Sequence, residues 1–376
     1  MHQMFLEQEQ ANTAISYKTY WSVFHYHYNL GFGTPATDVC STCVSHKLKI
    51  KNLMLTEQQR QMVATEFLVH KRKARMFYDR LSKTVPDSLT ICFDVMENLV
   101  LPRTQIGQAY YSRQLYLYVF AIVVHNGKES VQDFNNVHLY TWREDQASKD
   151  SNIISSAVNH ALLSPLAERL AQVNTLRVFS DSCFGQNKNL SMMSMLLSHI
   201  ASRSATSKLK VVYNFPVCGH RHLPADRVFG RLEQDIRRAG QILLPSEYID
   251  IMKEHGSVYE YGTDWQDLDV KKEVKRITKS KKSFKISEAR VIELSEGKLT
   301  MQQAYSGPST THTVLKRGMT WRSFSPEPLP LKSHVKEAKK TDVRKLLEDL
   351  GASEEIKTVY EAMLSAPSIG NDSESD

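Results

Sequence analysis

The sequence predicts an α/β protein in which helices pack on a mixed β-sheet, and three observations predict it. Apolar residues make up 41% of the 376 residues and charged residues 24%, a globular composition that can bury a core and excludes wholesale disorder. Short β-type runs alternate with amphipathic helical stretches between residues 86 and 245. The run at 114–124 is almost entirely apolar or aromatic, as expected for a strand buried on both faces.

The elements of this region follow the order β-β-β-α-β-α-β-α, with Asn126 and Gly127 as a hairpin signal. In chain order they are predicted at residues 89–93, 114–124, 137–142, 153–170 (with Ser151 and Asn152 as the N-cap), 176–180, 190–201, 209–215 and a helix that starts at Pro224. Three strands joined by tight connections and followed by alternating strands and helices predict a ribonuclease H-like, mixed five-stranded sheet with flanking helices.

Composition and predicted secondary structure divide the chain into four regions. Residues 1–85 are predicted to be helical and contain a Cys-x-x-Cys pair, and residues 86–245 form the ribonuclease H-like core. Residues 246–335 are predicted as a small, basic, β-rich accessory module. Residues 336–376 predict one amphipathic helix, at about 339–364, and an acidic tail that we expect to be disordered. That helix could dock on the core or on another copy of the chain, so a homo-oligomer stays open.

Composition also excludes several classes of protein. The longest apolar run is about strand length, so no transmembrane helix and no membrane partner are expected. The polar start of the chain predicts no signal peptide. Five cysteines are too few for a disulfide scaffold of this length. The formal charge of +7 permits a polyanionic partner. No small-molecule cofactor is predicted.

Carboxylates fall at the ends of predicted strands. Asp94 ends the first strand and Asp181 the fourth, and those strands are neighbours in a ribonuclease H-like sheet. Two adjacent carboxylates repel unless a cation lies between them, and hard oxygen ligands suit Mg²⁺ or Mn²⁺. A third acid would complete a two-metal site for phosphodiester cleavage. Taken singly, however, such acids also serve as turn formers or favour a helix N-terminus.

The third acid has two candidates on the last helix. Asp226 lies in its first turn, whereas Glu233 lies seven residues further, about 10 Å along the axis. Both could not bind metal ions that are about 4 Å apart. Asp226 is favoured because it is closer to the end of the fifth strand, and Glu233 remains the alternative.

Six short motifs stand out along the chain: residues 179–189 (FSDSCFGQNKN), 93–99 (FDVMENL, followed by Leu101 and Pro102), 110–115 (YYSRQL), 148–156, 219–230 (GHRHLPADRVFG) and 37–43 (TDVCSTC), with His70 further on. These motifs resemble those of eukaryotic transposon-derived proteins with a ribonuclease H-like core of the DDE/DDD transposase and integrase type, and the resemblance covers about residues 15–330. The resemblance implies metal-dependent cleavage and transfer of DNA strands as the ancestral activity. No separate DNA-binding motif precedes the Cys pair, which suggests a fragment, a degraded copy or a domesticated gene.

Cys40 and Cys43 have the spacing of zinc ligands. The set is completed, on this interpretation, by His46 or His70 together with one of His25 and His27, and Cys40, Cys43 and His70 are favoured. The alternative is two thiols packed in a helical layer. A redox role is disfavoured because no thioredoxin-like βαβ unit surrounds the pair.

Basic and amide side chains predict contacts to a nucleic-acid backbone. Asn187 and Lys188 follow Asp181 in a loop that could bind a phosphate. The alternative is a structural loop in which Asn189 serves as a cap. His220 and His222 flank the third acid and could contact the phosphate or orient Asp226. A dense basic segment suits DNA contacts or nuclear import, and its residues are Lys271, Lys272, Lys275, Arg276, Lys279, Lys281, Lys282 and Lys285.

The leading hypothesis is therefore a nuclear, transposase-like enzyme that binds DNA and cleaves it with two Mg²⁺ or Mn²⁺ ions held by Asp94, Asp181 and Asp226. The second is a domesticated, non-catalytic module that binds DNA or protein. The third is a structure-specific nuclease of the same superfamily.

Overall fold

The computed structural model describes residues 15–28, 39–125, 133–203, 208–220, 222–279, 284–331 and 335–365, together with His2 and Phe5. Within these ranges the chain forms an α/β structure with a ten-stranded mixed sheet and eleven α-helices. The hairpin signal at Asn126, the basic residues Lys281 and Lys282 and the acidic tail lie outside the described residues.

Three helices given in full by the described residues precede the sheet: α1 (Tyr17–His27), α2 (Ser41–Lys51) and α3 (Glu57–Leu81). A capping box starts α3, because the Thr56 hydroxyl accepts from the Gln59 backbone N–H and the Gln59 side chain accepts from the Thr56 N–H. The described part of residues 1–85 is thus largely helical, as the sequence predicts.

The sheet is built from strands that match the sequence prediction in its central part. The strands are β1 (Ser88–Val95), β2 (Leu99–Leu101), β3 (Leu115–Val124), β4 (Val137–Arg143), β5 (Thr175–Ser180), β6 (Lys210–Asn214), β7 (Ser257–Glu260), β8 (Val291–Ser295), β9 (Lys298–Gln302) and β10 (Ser309–His312). Their order is β10-β9-β8-β6-β5-β1-β3-β4-β7, with β2 paired to β3. β1 runs parallel to β5 and antiparallel to β3.

The sheet has ten strands rather than the predicted five, because strands from residues 246–335 join it. β7 pairs with β4 in parallel, and β8 pairs with β6 in antiparallel orientation and continues into β9 and β10. These short strands cover backbone groups that would otherwise be exposed at both edges of the core. The predicted accessory module is therefore an extension of the main sheet.

The remaining helices are α4 (Ser151–Leu163), α5 (Ala167–Ala171), α6 (Leu190–Ser202), α7 (Pro224–Ala239), α8 (Pro245–Lys253), α9 (Val270–Ile277), α10 (Glu337–Asp349) and α11 (Glu354–Leu364). Asp150, not Ser151 or Asn152, caps α4. The predicted helix 153–170 is broken, since Pro165 disfavours a helical conformation at Ser164. The predicted C-terminal helix is likewise two helices, with Gly351 at φ +62° between them.

Both faces of the sheet are covered. α4, α6 and α9 pack on one face, in a cluster that includes Ile153 and Met192. α7, α8, α10 and α11 pack on the other, in a cluster that includes Leu232 and Tyr360. α3 also packs on this second face through Phe77, beside Cys92 of β1. No helix among the described residues is both long and apolar enough to cross a membrane.

Candidate metal centre and acidic strand ends

Asp94 and Asp181 lie next to each other at the ends of neighbouring parallel strands. The register pairs Phe93 of β1 with Ser180 of β5, so the two aspartates are the next residues on each strand. Side chains alternate along a strand, so residues two apart share a face. Asp94 therefore shares the face of Cys92, and Asp181 continues the face of Phe179. The predicted adjacency of these strands is confirmed, and both acids are buried. By this alternation they belong to the face on which α3 packs against Cys92 and Phe179.

The Asp181 carboxylate is held by the loop that follows β5. Its Oδ1 accepts a hydrogen bond from the Asn187 side-chain amide at 2.6 Å and another from the Cys183 backbone N–H at 3.1 Å. Asn187 is only 2% exposed, and its own Oδ1 has no hydrogen-bond partner among the described residues. Asn189 caps α6 by accepting from the Met192 N–H, which confirms the alternative interpretation of this loop.

A lysine that the sequence analysis did not single out lies near Asp94. Lys149 donates to the side-chain oxygen of Asn98 at 2.9 Å and to the backbone oxygen of Met96 at 3.3 Å. Burial lowers the pKa of Lys149, and the negative charge of Asp94 partly opposes that shift. Lys149 lies in the segment 148–156, which carries part of the family resemblance, but no feature of that segment distinguishes this lysine from its neighbours.

Asp226 is positioned by the start of α7. Its Oδ2 accepts from the backbone N–H of Leu223 at 2.7 Å, so it caps the helix whose first turn carries it. Leu223 packs with Cys92 and Phe179, and the helix therefore starts on the face that carries Asp94 and Asp181.

Glu233 lies two turns further along α7. It is ion-paired with Arg237 at 3.5 Å and lines a cavity of about 220 Å³ together with Glu97, Asn98 and Arg103. Within the described part of the chain, the acids do not form a group of three whose oxygens all lie within 4.8 Å of one another. They are neighbours on one face rather than a closed ligand set.

Lys188 does not lie where a DNA contact needs it. The side chain is 2% exposed, donates to the backbone oxygen of Ser287 at 2.8 Å and lies 4.7 Å from the centre of the Phe215 ring. Burial lowers the pKa of Lys188 to about 8. Asn187 is equally buried and holds Asp181. The predicted phosphate grip by these two residues is therefore corrected, because tertiary contacts direct both side chains inward.

Two cysteine and two histidine side chains converge where α2, α3 and the loop before α7 meet. The ligand atoms of Cys40, Cys43, His70 and His220 all lie within 4.8 Å of one another. Cys40 Sγ is 3.4 Å from His70 Nε2, and Cys43 Sγ is 3.2 Å from His220 Nε2. The two imidazole Nε2 atoms are 2.9 Å apart. We refer to these four residues as the Cys/His cluster.

The surroundings of the Cys/His cluster shift the pKa values of its side chains. Cys40 precedes the first turn of α2, and although burial raises its pKa, the N–H groups of Cys43 and Thr42 outweigh that effect and lower it. Burial and neighbouring cationic groups lower the pKa values of His70 and His220. For Cys43, burial and then the charge of Cys40 raise the pKa instead. A neutral imidazole and a thiolate are the forms that bind metals.

His220 is held from the other side of the cluster. Tyr78 of α3 donates its hydroxyl hydrogen to the His220 backbone oxygen at 2.9 Å. Gly219 has a φ of +73°, and a Cβ at this position would lie 2.7 Å from Cys40 Cα. Only glycine lets the loop approach the cysteine this closely.

The other histidines weighed as ligands lie outside the cluster. His46 Nδ1 bonds to the backbone oxygen of Thr42 at 2.7 Å, and its ring centre is 6.4 Å from that of His70. His25 and His27 end α1 and do not belong to the group that converges here. The predicted set of Cys40, Cys43 and His70 is thus brought together, but the fourth member is His220, from a motif assigned to the acidic site.

The basic segment is partly neutralised where the structure describes it. Lys271 pairs with Asp150 at 2.5 Å, Lys272 with Glu327 at 3.0 Å and Arg276 with Glu273 at 2.6 Å. Lys275 and Lys279 are exposed, and neither forms an ion pair with the described residues. The exposed face of α9 therefore carries a weaker positive field than the sequence count alone indicates.

A family model described as a domain of unknown function, DUF7869, matches residues 108–302. The match includes Asp181, Asp226 and His220, whereas Asp94, Cys40, Cys43 and His70 lie before it. No curated protein and no solved structure matches the chain.

Proposed function

The chain belongs to the DUF7869 family, and we propose that it is a transposon-derived, metal-dependent enzyme that cleaves and transfers DNA strands on a ribonuclease H-like core. The observation that carries the proposal is the placement of Asp94 and Asp181 side by side on one face of the sheet, at the ends of neighbouring parallel strands. Folding brings together two acids that are 87 residues apart in sequence, as a site for divalent cations requires.

The sheet topology supports the same proposal. Three antiparallel strands, β1, β3 and β4, are followed by β5 and β6, which add in parallel on the other side of β1. The first and fourth long strands are then neighbours, as the resemblance implies. The helix that supplies the third acid starts on the face that carries the first two.

The donor set fits Mg²⁺ or Mn²⁺. Asp94 and Asp181 offer hard carboxylate oxygens, and the buried Asn187 Oδ1 is an oxygen without a hydrogen-bond partner among the described residues. Asp94, Asp181 and Asp226 would hold the ions. When bound, such ions activate the attacking water or 3′-hydroxyl and stabilise the departing oxygen. The Asn187 amide fixes the orientation of Asp181, and Lys149 supplies positive charge beside Asp94.

The substrate class in this proposal is DNA in the nucleus. Support comes from the excess of basic residues and from Lys275 and Lys279, which point into solvent beside the paired residues of α9. Binding through such residues would be sequence-independent and sensitive to salt.

The decisive experiment measures nicking and strand transfer on supercoiled DNA with Mg²⁺ or Mn²⁺. Asp94→Asn and Asp181→Asn should each lower the rate by about 10³-fold or more, since a metal site contributes several kcal/mol to the barrier. Asp267→Asn is the matched control: this aspartate is as buried as Asp181 but bonds to Tyr261, which packs in the cluster on the opposite face. Equal activity in all three variants would contradict the proposal.

The same assay separates the two candidates for the third acid. Asp226→Asn should abolish cleavage if Asp226 is the ligand, whereas Glu233→Gln should do so if the ligand is Glu233. Cleavage that depends on DNA shape, without joining of ends, would indicate the structure-specific nuclease instead.

A second candidate function is a non-catalytic module that binds DNA or protein. The observation that favours it is the engagement of the acids in structural roles, because Asp226 caps its helix and Asp181 accepts two hydrogen bonds from its loop. This candidate predicts salt-sensitive DNA binding that Asp94→Asn leaves unchanged, with no cleavage.

A further inference from the structure

We propose that the Cys/His cluster binds one Zn²⁺ ion, and that this ion fastens helices α2 and α3 to the loop leading into α7. The proposal concerns a site separate from the acidic strand ends, and it holds whether or not the chain cleaves DNA. It rests on the convergence of four ligand atoms from three parts of the chain.

The distances between ligand atoms suit a tetrahedral zinc site. With Zn–S bonds of about 2.3 Å and Zn–N bonds of about 2.0–2.1 Å, a tetrahedron places sulfur about 3.5 Å from nitrogen and two nitrogens about 3.3 Å apart. The structure has Cys40 Sγ to His70 Nε2 at 3.4 Å, Cys43 Sγ to His220 Nε2 at 3.2 Å and the two nitrogens at 2.9 Å. Shifts of a few tenths of an ångström would admit the ion.

Hydrogen bonding alone explains the cluster less well. Each Nε2 contacts both a sulfur and the other Nε2. A neutral imidazole nitrogen has either one hydrogen or one lone pair, so it cannot form a full hydrogen bond with both neighbours at once. Packed thiols would not draw the Nε2 atoms of two histidines from separate segments towards each other. The close passage of Gly219 over Cys40 shows that the loop is shaped around the cysteine.

The donor set selects zinc among the common metals. Two thiolates and two imidazoles in a tetrahedral arrangement are typical of Zn²⁺, whereas Mg²⁺ and Ca²⁺ prefer oxygen ligands. Four protein ligands close the coordination sphere, so the ion would be structural. Such a site requires no redox chemistry. All five cysteines are free, so Cys40 and Cys43 are not engaged in disulfide bonds.

The position of His220 gives the ion its consequence. His220 lies four residues before Pro224, the first residue of α7, and Leu223 between them packs against α3, β1 and β5. A bound ion would therefore fix the start of the helix that carries Asp226 to the α2–α3 pair.

The first test measures metal content in the 376-residue chain, purified under reducing conditions. We expect about one zinc per chain by mass spectrometry, and an affinity more than about 100-fold lower in Cys43→Ser and in His220→Ala. Cys218→Ser and His46→Ala are matched controls, because Cys218 is an exposed cysteine two residues from His220 and His46 lies beside His70 outside the cluster. Both controls should keep zinc. Wild-type zinc affinity in His220→Ala, or no zinc in the wild type, would overturn the proposal.

A second test does not depend on the folding of any variant. Co²⁺ added to the metal-free wild type should give intense tetrahedral ligand-field bands and a sulfur-to-cobalt charge-transfer band for two thiolates. Hydrogen exchange should then slow on Zn²⁺ addition both around Cys40–Cys43 and around Gly219–Leu223. An octahedral cobalt spectrum, or protection confined to the Cys40 side, would refute the four-ligand site. If the wild-type protein binds zinc at this site but does not cleave DNA, that result would count against the proposed function alone.

Discussion

Gly219→Ala is the sharpest single perturbation of the Cys/His cluster. The added Cβ would lie 2.7 Å from Cys40 Cα and 2.8 Å from Cys40 Cβ. Carbon atoms normally approach to about 3.5 Å, so Cys40 or the loop would have to move by about 0.8 Å. Metal-ligand distances tolerate only about 0.2 Å. We therefore expect the variant to lose zinc.

The loss of stability can be divided into two parts. A φ of +73° costs alanine about 1–2 kcal/mol, and the steric contact adds roughly 1–3 kcal/mol. Gly262→Ala isolates the first part, since Gly262 has a φ of +85° and a Cβ there would contact nothing within 4 Å. We expect it to lose about 1–2 kcal/mol and to keep its metal.

Chemical denaturation with zinc and with a chelator measures both parts. Wild type should gain about 4 kcal/mol from zinc at a thousandfold excess over Kd, whereas Gly219→Ala should gain far less. Wild-type zinc affinity in Gly219→Ala, with a loss of stability no larger than that of Gly262→Ala, would contradict this prediction.

Two further predictions concern stability. His199 is buried in α6 without hydrogen-bond partners for its ring among the described residues, and burial, with a smaller contribution from Arg203, lowers its pKa to about 4. The unfolded chain takes up this proton below about pH 6.5 and the folded chain does not, so His199 should contribute a fall of about 3 kcal/mol in the free energy of unfolding from pH 6.5 to pH 4. His199→Leu should flatten that dependence in urea titrations, and an unchanged slope would contradict the assignment. A Cβ at Gly230 in α7 meets open space, so Gly230→Ala should raise stability by about 0.5–1 kcal/mol. Gly256→Ala would place its Cβ 2.6 Å from the Val137 oxygen and should lower stability by about 1–3 kcal/mol. Thermal melts that rank the two variants otherwise would refute this prediction.

The central strands were predictable because their signal is local. Continuous apolar runs give β3 and β4, and the alternation of β5, α6 and β6 with short connections makes parallel neighbours the expected arrangement. Asp94 and Asp181 could therefore be placed beside each other from sequence alone. β7 to β10 could not, because strands of four or five residues find their partners through distant backbone groups.

The fourth cluster ligand and the burial of Lys188 were hidden for the same reason. His220 is 150 residues from His70, and no spacing rule connects a loop after β6 to a helix before β1. A signal existed in the Gly-His pair at Gly219, since glycine beside a histidine permits close approach. Lys188 looks like a phosphate contact until Phe215 and Ser287, from other parts of the chain, surround it.

The contact between Cys43 and His220 spans 177 residues, and it bears on how the chain is made. A ribosome releases the two cysteines long before it reaches the histidine, and closing so large a loop is entropically costly and slow. The amino-terminal helices cannot complete this contact until β6 and its following turn have emerged. Nascent chains stalled before residue 220 should therefore be unusually good substrates for chaperones.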